Sequence, residues 1–273
     1  LKYNIPTIVS MHDIQHIHYP QYFSKNTIKK RKIQYGLTKI KADFIHCSSD
    51  FIKSDLINNF NINSSKIIKI EPGIDLSEYK SVDCGNDNNK YFFYPAQLWE
   101  HKNHLTILKS MKILKDKSID NIKFYFTGSE DNSNYSVIKD FIDKNNLNNS
   151  IKHLPNITHS ELIKYYMKSE FVISAAIYEA ASFPIFEAAS LSKPIVASDI
   201  PSNIEFSNYF RINFFEATNS LDLANMIESC VDGKVDFKAQ VSYNKIEIRN
   251  FSWDNIAGKF INKFQRIVCN ANN

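Results

Sequence analysis

Glycine is scarce in this chain, with six in 273 residues, and none form G-x-G-x-x-G or G-x-x-x-x-G-K-[ST]. That argues against a glycine-rich dinucleotide turn and a P-loop, so a phosphate site must use other backbone amides. The four cysteines, Cys47, Cys84, Cys230 and Cys269, lie far apart without a Cys-x-x-Cys pair. Neither a disulfide framework nor a zinc site is suggested, and a reducing cytoplasm fits. No apolar run approaches the roughly 20 residues that cross a bilayer. Charge of one sign is also lacking: the net +4 is too small to argue for nucleic acid, and no zinc finger, RNA-binding aromatic signature or arginine-rich arm occurs. There is no G-x-S-x-G elbow, and Cys47 beside His46 reads as a strand residue rather than a nucleophile. The opening at Leu1, without an initiator Met or signal pattern, reads as a fragment or trimmed start.

What is present is alternation. Thr7-Ile-Val-Ser10 reads as a strand, Asn26 to Lys41 as a helix and Phe44-Ile-His-Cys47 as a strand. A helix capped by Ser48 or Ser49 then ends near Phe60, and the strand Ile67-Ile-Lys-Ile70 stops at Pro72-Gly73. Residues 81–90 are polar and rich in turn formers, which predicts a linker there after a first domain over 1–80. The alternation restarts with strands at 91–94, 123–127, 151–154, 171–174, 194–197 and 211–214. The helices fall at 104–115, 136–145, 161–168 and 221–231, with a short one between the strands at 171 and 194. This predicts a second domain over 91–250 and a final helix, 253 to about 269, in a segment 251–273 that packs back toward the first. Such alternation implies parallel sheets covered on both faces, with ligands outside the carboxyl ends of the strands.

Chemistry concentrates in Tyr178-Glu-Ala-Ala-Ser-Phe-Pro-Ile-Phe-Glu-Ala-Ala-Ser190, where Glu179 and Glu187 flank a strand-to-helix junction. Ser182 is placed to cap the helix and Pro184 falls in its first turn, so backbone amides should meet an anion at the strand end. The two carboxylates do not read as a glycosidase pair. Tyr94-Pro-Ala-Gln-Leu-Trp-Glu-His-Lys-Asn103 also follows a strand and precedes a helix, aiming Lys102 at the same end of the sheet, where it can neutralise phosphate. His12, Asp13, His16 and His18 cluster after the first strand. Their frame specifies no metal geometry, and His12 reads as a hydrogen-bonding group at the strand end. Lys29-Lys-Arg-Lys32 reads as a solvated helix face, with attraction to an anionic membrane as the sharper alternative.

Together these segments resemble the retaining glycosyltransferases of group 1 (family four). The resemblance runs through His12-Asp13, Ala42 to Ser48, Pro72-Gly-Ile-Asp75, Gln97 to Asn103, Gly128-Ser129, Leu154 to Ile157, the two-glutamate segment, Lys193 to Asp199 and Phe251-Ser-Trp-Asp254. Within the group the chain looks most like bacterial mannosyltransferases of surface-polysaccharide assembly. The resemblance implies an α/β GT-B fold, two Rossmann-like domains with parallel sheets facing a cleft, here with an incomplete N-terminal domain. It implies Glu187 on the ribose hydroxyls and Glu179 by the donor sugar. Lys102 and Gln97 would stand at the diphosphate, and the amides of Ser182, Phe183, Pro184 and Ile185 would complete its cradle. Ile157 would line the base pocket, and His12 would approach the transferred sugar. The implied reaction is metal-independent hexosyl transfer, from GDP-mannose as donor substrate with no cofactor, to a glycan or lipid-linked acceptor. It would occur in the cytoplasm, with peripheral contact at an anionic membrane and no nucleic-acid partner. Three departures stand out: Gln97 where many members carry a phosphate-binding Arg, Ala180-Ala181 in place of glycines, and an N-terminal domain that reads as lacking its first half, including the loop that would help bind the acceptor. They motivate the alternative of a non-catalytic GT-B-like domain that binds nucleotide or glycan.

Overall fold

The computed structural model describes residues 5–79 and 90–271, the side chains of 270 and 271 excepted. In chain order the elements are β1 (Ile8–Ser10), α1 (Gln15–His18), α2 (Lys25–Lys41), β2 (Phe44–Cys47), α3 (Asp50–Phe60), β3 (Ile67–Lys69) and β4 (Tyr91–Tyr94). Next come α4 (His104–Asp116), β5 (Lys123–Thr127), α5 (Asn134–Lys144), β6 (Ile151–Leu154), α6 (His159–Lys168), β7 (Phe171–Ser174) and α7 (Phe183–Ser190). The remainder are β8 (Ile195–Ser198), α8 (Pro201–Phe206), β9 (Asn213–Phe215), α9 (Ser220–Val231), α10 (Phe237–Glu247) and α11 (Trp253–Ala271).

These elements form two compact units. The first gathers the described residues up to Asp75, Glu179–Ala181 and the segment from Asn250 onward; the second runs from Leu76 to Tyr178 and from Ser182 to Arg249. The linker expected at 81–90, with Cys84 inside it, lies outside the described residues except for Lys90.

The first unit carries a parallel sheet ordered β1-β2-β3. Asp43 locks its first turn by accepting both the amide and the hydroxyl of Thr7 at 2.8 Å. Ser49, not Ser48, caps α3, its hydroxyl accepting from the Ile52 amide at 3.2 Å. On α2, Arg31 turns inward to pair with Asp13 at 3.0 Å and lies 4.8 Å above the Phe23 ring, so the basic run splits and leaves Lys29, Lys30 and Lys32 exposed. After β3 the backbone meets α11: a Cβ at Gly73 would stand 2.7 Å from the Trp253 ring, and Ile74 forms a parallel bridge with Ser252. Ile256 and Ile267 of α11 bury themselves against Ile68 and Ile70.

The second unit is a six-stranded parallel sheet ordered β6-β5-β4-β7-β8-β9. The winding reverses between β4 and β7, which opens a crevice beyond their carboxyl ends. Its core is strongly aromatic, with Phe92 stacked between Phe124 at 5.0 Å and Phe171 at 5.3 Å. Such offset stacks add to the area each ring removes from water.

Several boundaries differ from expectation. Helix α6 starts at His159 rather than Glu161, because Thr158 and Glu161 form a reciprocal capping box. Helix α10 is absent from the sequence reading. It carries Gln240, whose side-chain amide bonds both the N–H of Ile195 at 2.9 Å and its carbonyl at 2.8 Å. One turn on, Asn244 takes the amide and carbonyl of Arg211 at 2.7 and 2.9 Å. Arg211, so held, precedes the strand, and β9 begins at Asn213 instead of 211. Among the described residues no helix is long and apolar enough to cross a membrane.

In the first unit, burial alone would push the Glu71 carboxyl up, but bonds from Lys259, its own backbone amide and Lys69 outweigh burial and hold it at about 2. A depressed carboxyl stabilises the fold above its unfolded value near 4.5 and loses that contribution as pH falls toward 2. Lys259→Met is therefore expected to lower stability near neutral pH, with the gap to the parent closing in acid. Urea unfolding across this range checks it, and a gap independent of pH would contradict it.

Candidate functional site

The crevice of the second unit is built by the chain leaving β4. After Tyr94 it runs through a short turn over Glu100–Lys102, and Asn103 adopts a left-handed conformation at φ 60 before α4 begins. Tyr94 donates its hydroxyl to the Lys102 carbonyl at 2.9 Å. Asn103 Nδ2 then donates to the carbonyls of Ala175, just past β7, at 3.1 Å and of Ala217, just past β9, at 2.7 Å. Its Oδ1 accepts from Thr106 at 2.8 Å, and the Ile177 amide donates to the His101 carbonyl at 2.9 Å. Three strand ends are thus tied into one rim, on which half-buried Lys102 sits.

Helix α7 corrects the expected anion cradle. Ser182 occupies the N-cap position, yet its hydroxyl makes no capping bond; buried, it donates to Asn203 Oδ1 at 2.6 Å. Asn203 Nδ2 in turn donates to the Ser198 carbonyl at 2.9 Å, and the Ser198 hydroxyl to the Ala176 carbonyl at 2.6 Å. The Ile185 amide is spent on the Ser182 carbonyl at 2.9 Å, and Pro184 has no N–H. The cradle predicted over Ser182 to Ile185 therefore shrinks to the amides of Ser182 and Phe183. Phe183 itself is exposed.

Glu187, in the second turn of α7, is not a solvated helix residue. Tyr79 donates to its Oε1 at 3.0 Å and Tyr166 to its Oε2. Burial pushes this carboxyl up, and the two phenols, with His159 and Lys102, pull it back toward the ionised form. Both tyrosines are raised, by burial first and then by the Glu187 charge, so they remain donors. The edge of the Tyr79 ring meets His159 at 5.4 Å, and Tyr166 meets Phe93 at 5.2 Å. His104, which opens α4, is held neutral: burial first, then the nearby Lys102, His153 and His101, lowers it to about 3.

A pocket of about 410 Å³ lies past the ends of β4, β5 and β6, lined by Gln97, Gly128, Ser129, Asn156, Ile157 and His159 among others. Gln97 Oε1 accepts from the Ser129 amide at 3.2 Å, and the Gly128 carbonyl accepts from His153 at 2.8 Å. Gly128 has φ 125, and a Cβ there would stand 2.7 Å from Leu98.

Of the expected site residues, Gln97 and Ile157 share this pocket, and His159 leads from it to Tyr79 and Glu187. Lys102 lies within electrostatic reach of Glu187. Ser182, Phe183, Pro184 and Ile185 form the start of the same α7. His12, exposed, and Glu179, half-buried, belong to the first unit. His12 and His16 share no helix, and His16 is buried between the rings of Tyr35 and Phe23. The sequence pattern does not mark Tyr79, Tyr166 or the stapling role of Asn103, although Asn103 closes the segment that begins at Gln97. A tyrosine seven residues past Pro72 and another inside a predicted helix carry no spacing signal.

Residues 79–247 match the model of the family "Glycosyl transferases group 1". The chain belongs to that family. It is 23% identical over 194 residues to the O-antigen chain mannosyltransferase RfbU of Salmonella typhimurium, a match covering 71% of this chain and 52% of that protein. It is 21% identical over 272 residues to O-antigen chain mannosyltransferase B of Escherichia coli, covering 94% and 70%. The chain thus spans about half the length of the Salmonella relative. Among solved structures, Anabaena Alr3699/HepE in complex with UDP and glucose superimposes with a TM-score of 0.80 at 17% identity, over 95% of this chain and 71% of that one. A glycosyltransferase from Rickettsia africae gives 0.74 at 22%, over 96% and 77%. These likenesses establish the GT-B fold of this group 1 member.

Asn103 supplies the sharpest stability test of the rim. Asn103→Gly removes both donors yet suits φ 60, whereas Asn103→Asp turns a carboxylate toward two carbonyls. We expect losses of about 1–3 kcal/mol for Gly and more for Asp. Denaturant unfolding ranks them, and equal losses would contradict the staple.

Proposed function

We propose that this protein is a retaining, metal-independent glycosyltransferase that moves a hexose from a nucleotide-sugar to a glycan or lipid-linked acceptor. One observation carries the reading: the switch-point crevice joins a cationic rim at Lys102, a doubly held acceptor at Glu187 and a pocket at Ile157. These suit a diphosphate, a ribose and a base in turn. Mannose from GDP-mannose is the proposed donor, supported by the mannosyltransferase names of the O-antigen relatives. The HepE complex with UDP makes the uridine nucleotide the rival base.

In this reading Lys102 and the amides of Ser182 and Phe183 stabilise the charge that gathers on the departing diphosphate. Gln97 contributes a dipole, engaged with Ser129, in place of an Arg charge. Glu187 anchors the nucleoside. As the bond from sugar C1 to the diphosphate breaks, the acceptor hydroxyl attacks from the same face and its proton passes to the diphosphate. The exposed lysines of α2 suit peripheral contact with an anionic membrane at the cytoplasmic face.

Calorimetric titration with GDP, UDP and ADP tests the reading. GDP is expected to bind most tightly, and Lys102→Ala to weaken it by about 10- to 100-fold through loss of a charge-assisted phosphate contact. Failure of all three to bind would sink the proposal. Nucleotide binding without release of sugar from GDP-mannose or UDP-glucose, even with chelator absent and acceptor glycans supplied, would favour the non-catalytic alternative.

A further inference from the structure

We propose that Tyr79 and Tyr166 are positioning residues for Glu187, occupying one acceptor site on each carboxylate oxygen and leaving one on each for the vicinal hydroxyls of a ribose. The inference rests on the nucleotide reading above and adds to it the groups that make Glu187 selective for a diol. A carboxylate offers about four acceptor sites, two on each oxygen. Tyr79 takes one on Oε1 and Tyr166 one on Oε2, so among the described residues one acceptor site remains on each oxygen. That remainder matches two adjacent hydroxyl donors, as a carboxylate accepts bidentate pairs elsewhere.

The arrangement works only while Glu187 is ionised, since a protonated carboxyl would itself donate to a phenol or to the ligand. Burial opposes ionisation, and the groups facing the carboxyl counter it from every side. Tyr166 and His159 reach it from α6, Tyr79 from the segment after Leu76, and Lys102 from the turn before α4. Among the described residues the hydrogen bonds to the carboxylate come from the phenols, one to each oxygen. Tyr166 is fully buried against Phe93, so its hydroxyl cannot leave Oε2 without opening the core. Tyr79 is less enclosed and supplies the second bond from outside the sheet. Removing either hydroxyl should therefore raise the pH below which the diol is lost, and free the carboxylate to turn.

The test compares the affinity of the full chain for GDP and 2′-deoxy-GDP, as a ratio, across mildly acidic to mildly alkaline pH. The parent is expected to prefer GDP by about tenfold or more, because a site built to bond a hydroxyl rejects the analogue without it. In Tyr166→Phe and Tyr79→Phe the ratio should fall severalfold near neutral pH and recover partly as pH rises. Affinity for inorganic pyrophosphate, which has no ribose, should stay unchanged and reports that each variant is folded. A ratio and pH profile matching the parent in both variants would overturn the inference while leaving the nucleotide site standing. So would a parent that binds GDP and its deoxy analogue alike. If no nucleoside diphosphate binds the parent, the functional reading falls first and the inference with it. Should Tyr166→Phe fail to fold, Tyr79→Phe alone decides.

Discussion

One side chain holds the crevice of the second unit in shape. Asn103 reaches from the end of the β4 loop to the carbonyls beyond β7 and β9, and it does so from a left-handed backbone that suits asparagine better than most residues. Without those two bonds, carbonyls at two strand ends would lack their partner, and the turn before α4 would be anchored mainly by Tyr94 and His101. The position of Lys102, one residue earlier, depends on this. A cation at a crevice rim attracts an anion effectively only if its stem is fixed, because a mobile lysine loses in ordering what it gains in attraction.

The second constraint is the placing of charge. Lys102 and Glu187 have opposite sign and lie within electrostatic reach of each other. Glu187 is satisfied by phenols, which donate hydrogen bonds without cancelling its charge. His104, adjacent in sequence to the rim, is held uncharged by burial and serves as an aromatic plug between Tyr94 and Phe126. The crevice therefore carries both signs of charge, with the anion held by neutral donors.

Much of this was legible in the sequence because strands such as Phe171-Val-Ile-Ser174 are continuous apolar runs, and turns such as Pro72-Gly73 break them sharply. The illegible parts share a physical cause. Helix α10 turns Gln240 and Asn244 inward, so a search for an apolar stripe passes over it. Ser182 looked like a cap, but a competing partner, Asn203, lies in α8, and nothing local in sequence announces it. Tyr79 and Glu187 are 108 positions apart and become neighbours only when the sheet is wound. Sequence spacing reports what a single element can align, whereas the partners that hold a side chain such as Glu187 come from several.

Helix α10 carries a consequence of its own. Helices docked by oily side chains can slip by a fraction of a turn and still bury similar area, but α10 is pinned by amides one turn apart that complete four backbone groups of two other segments. Any slide along its axis would break all four together. It behaves as a keyed part rather than a greased one, fixing the starts of β8 and β9 and hence how far along the sheet those strands reach.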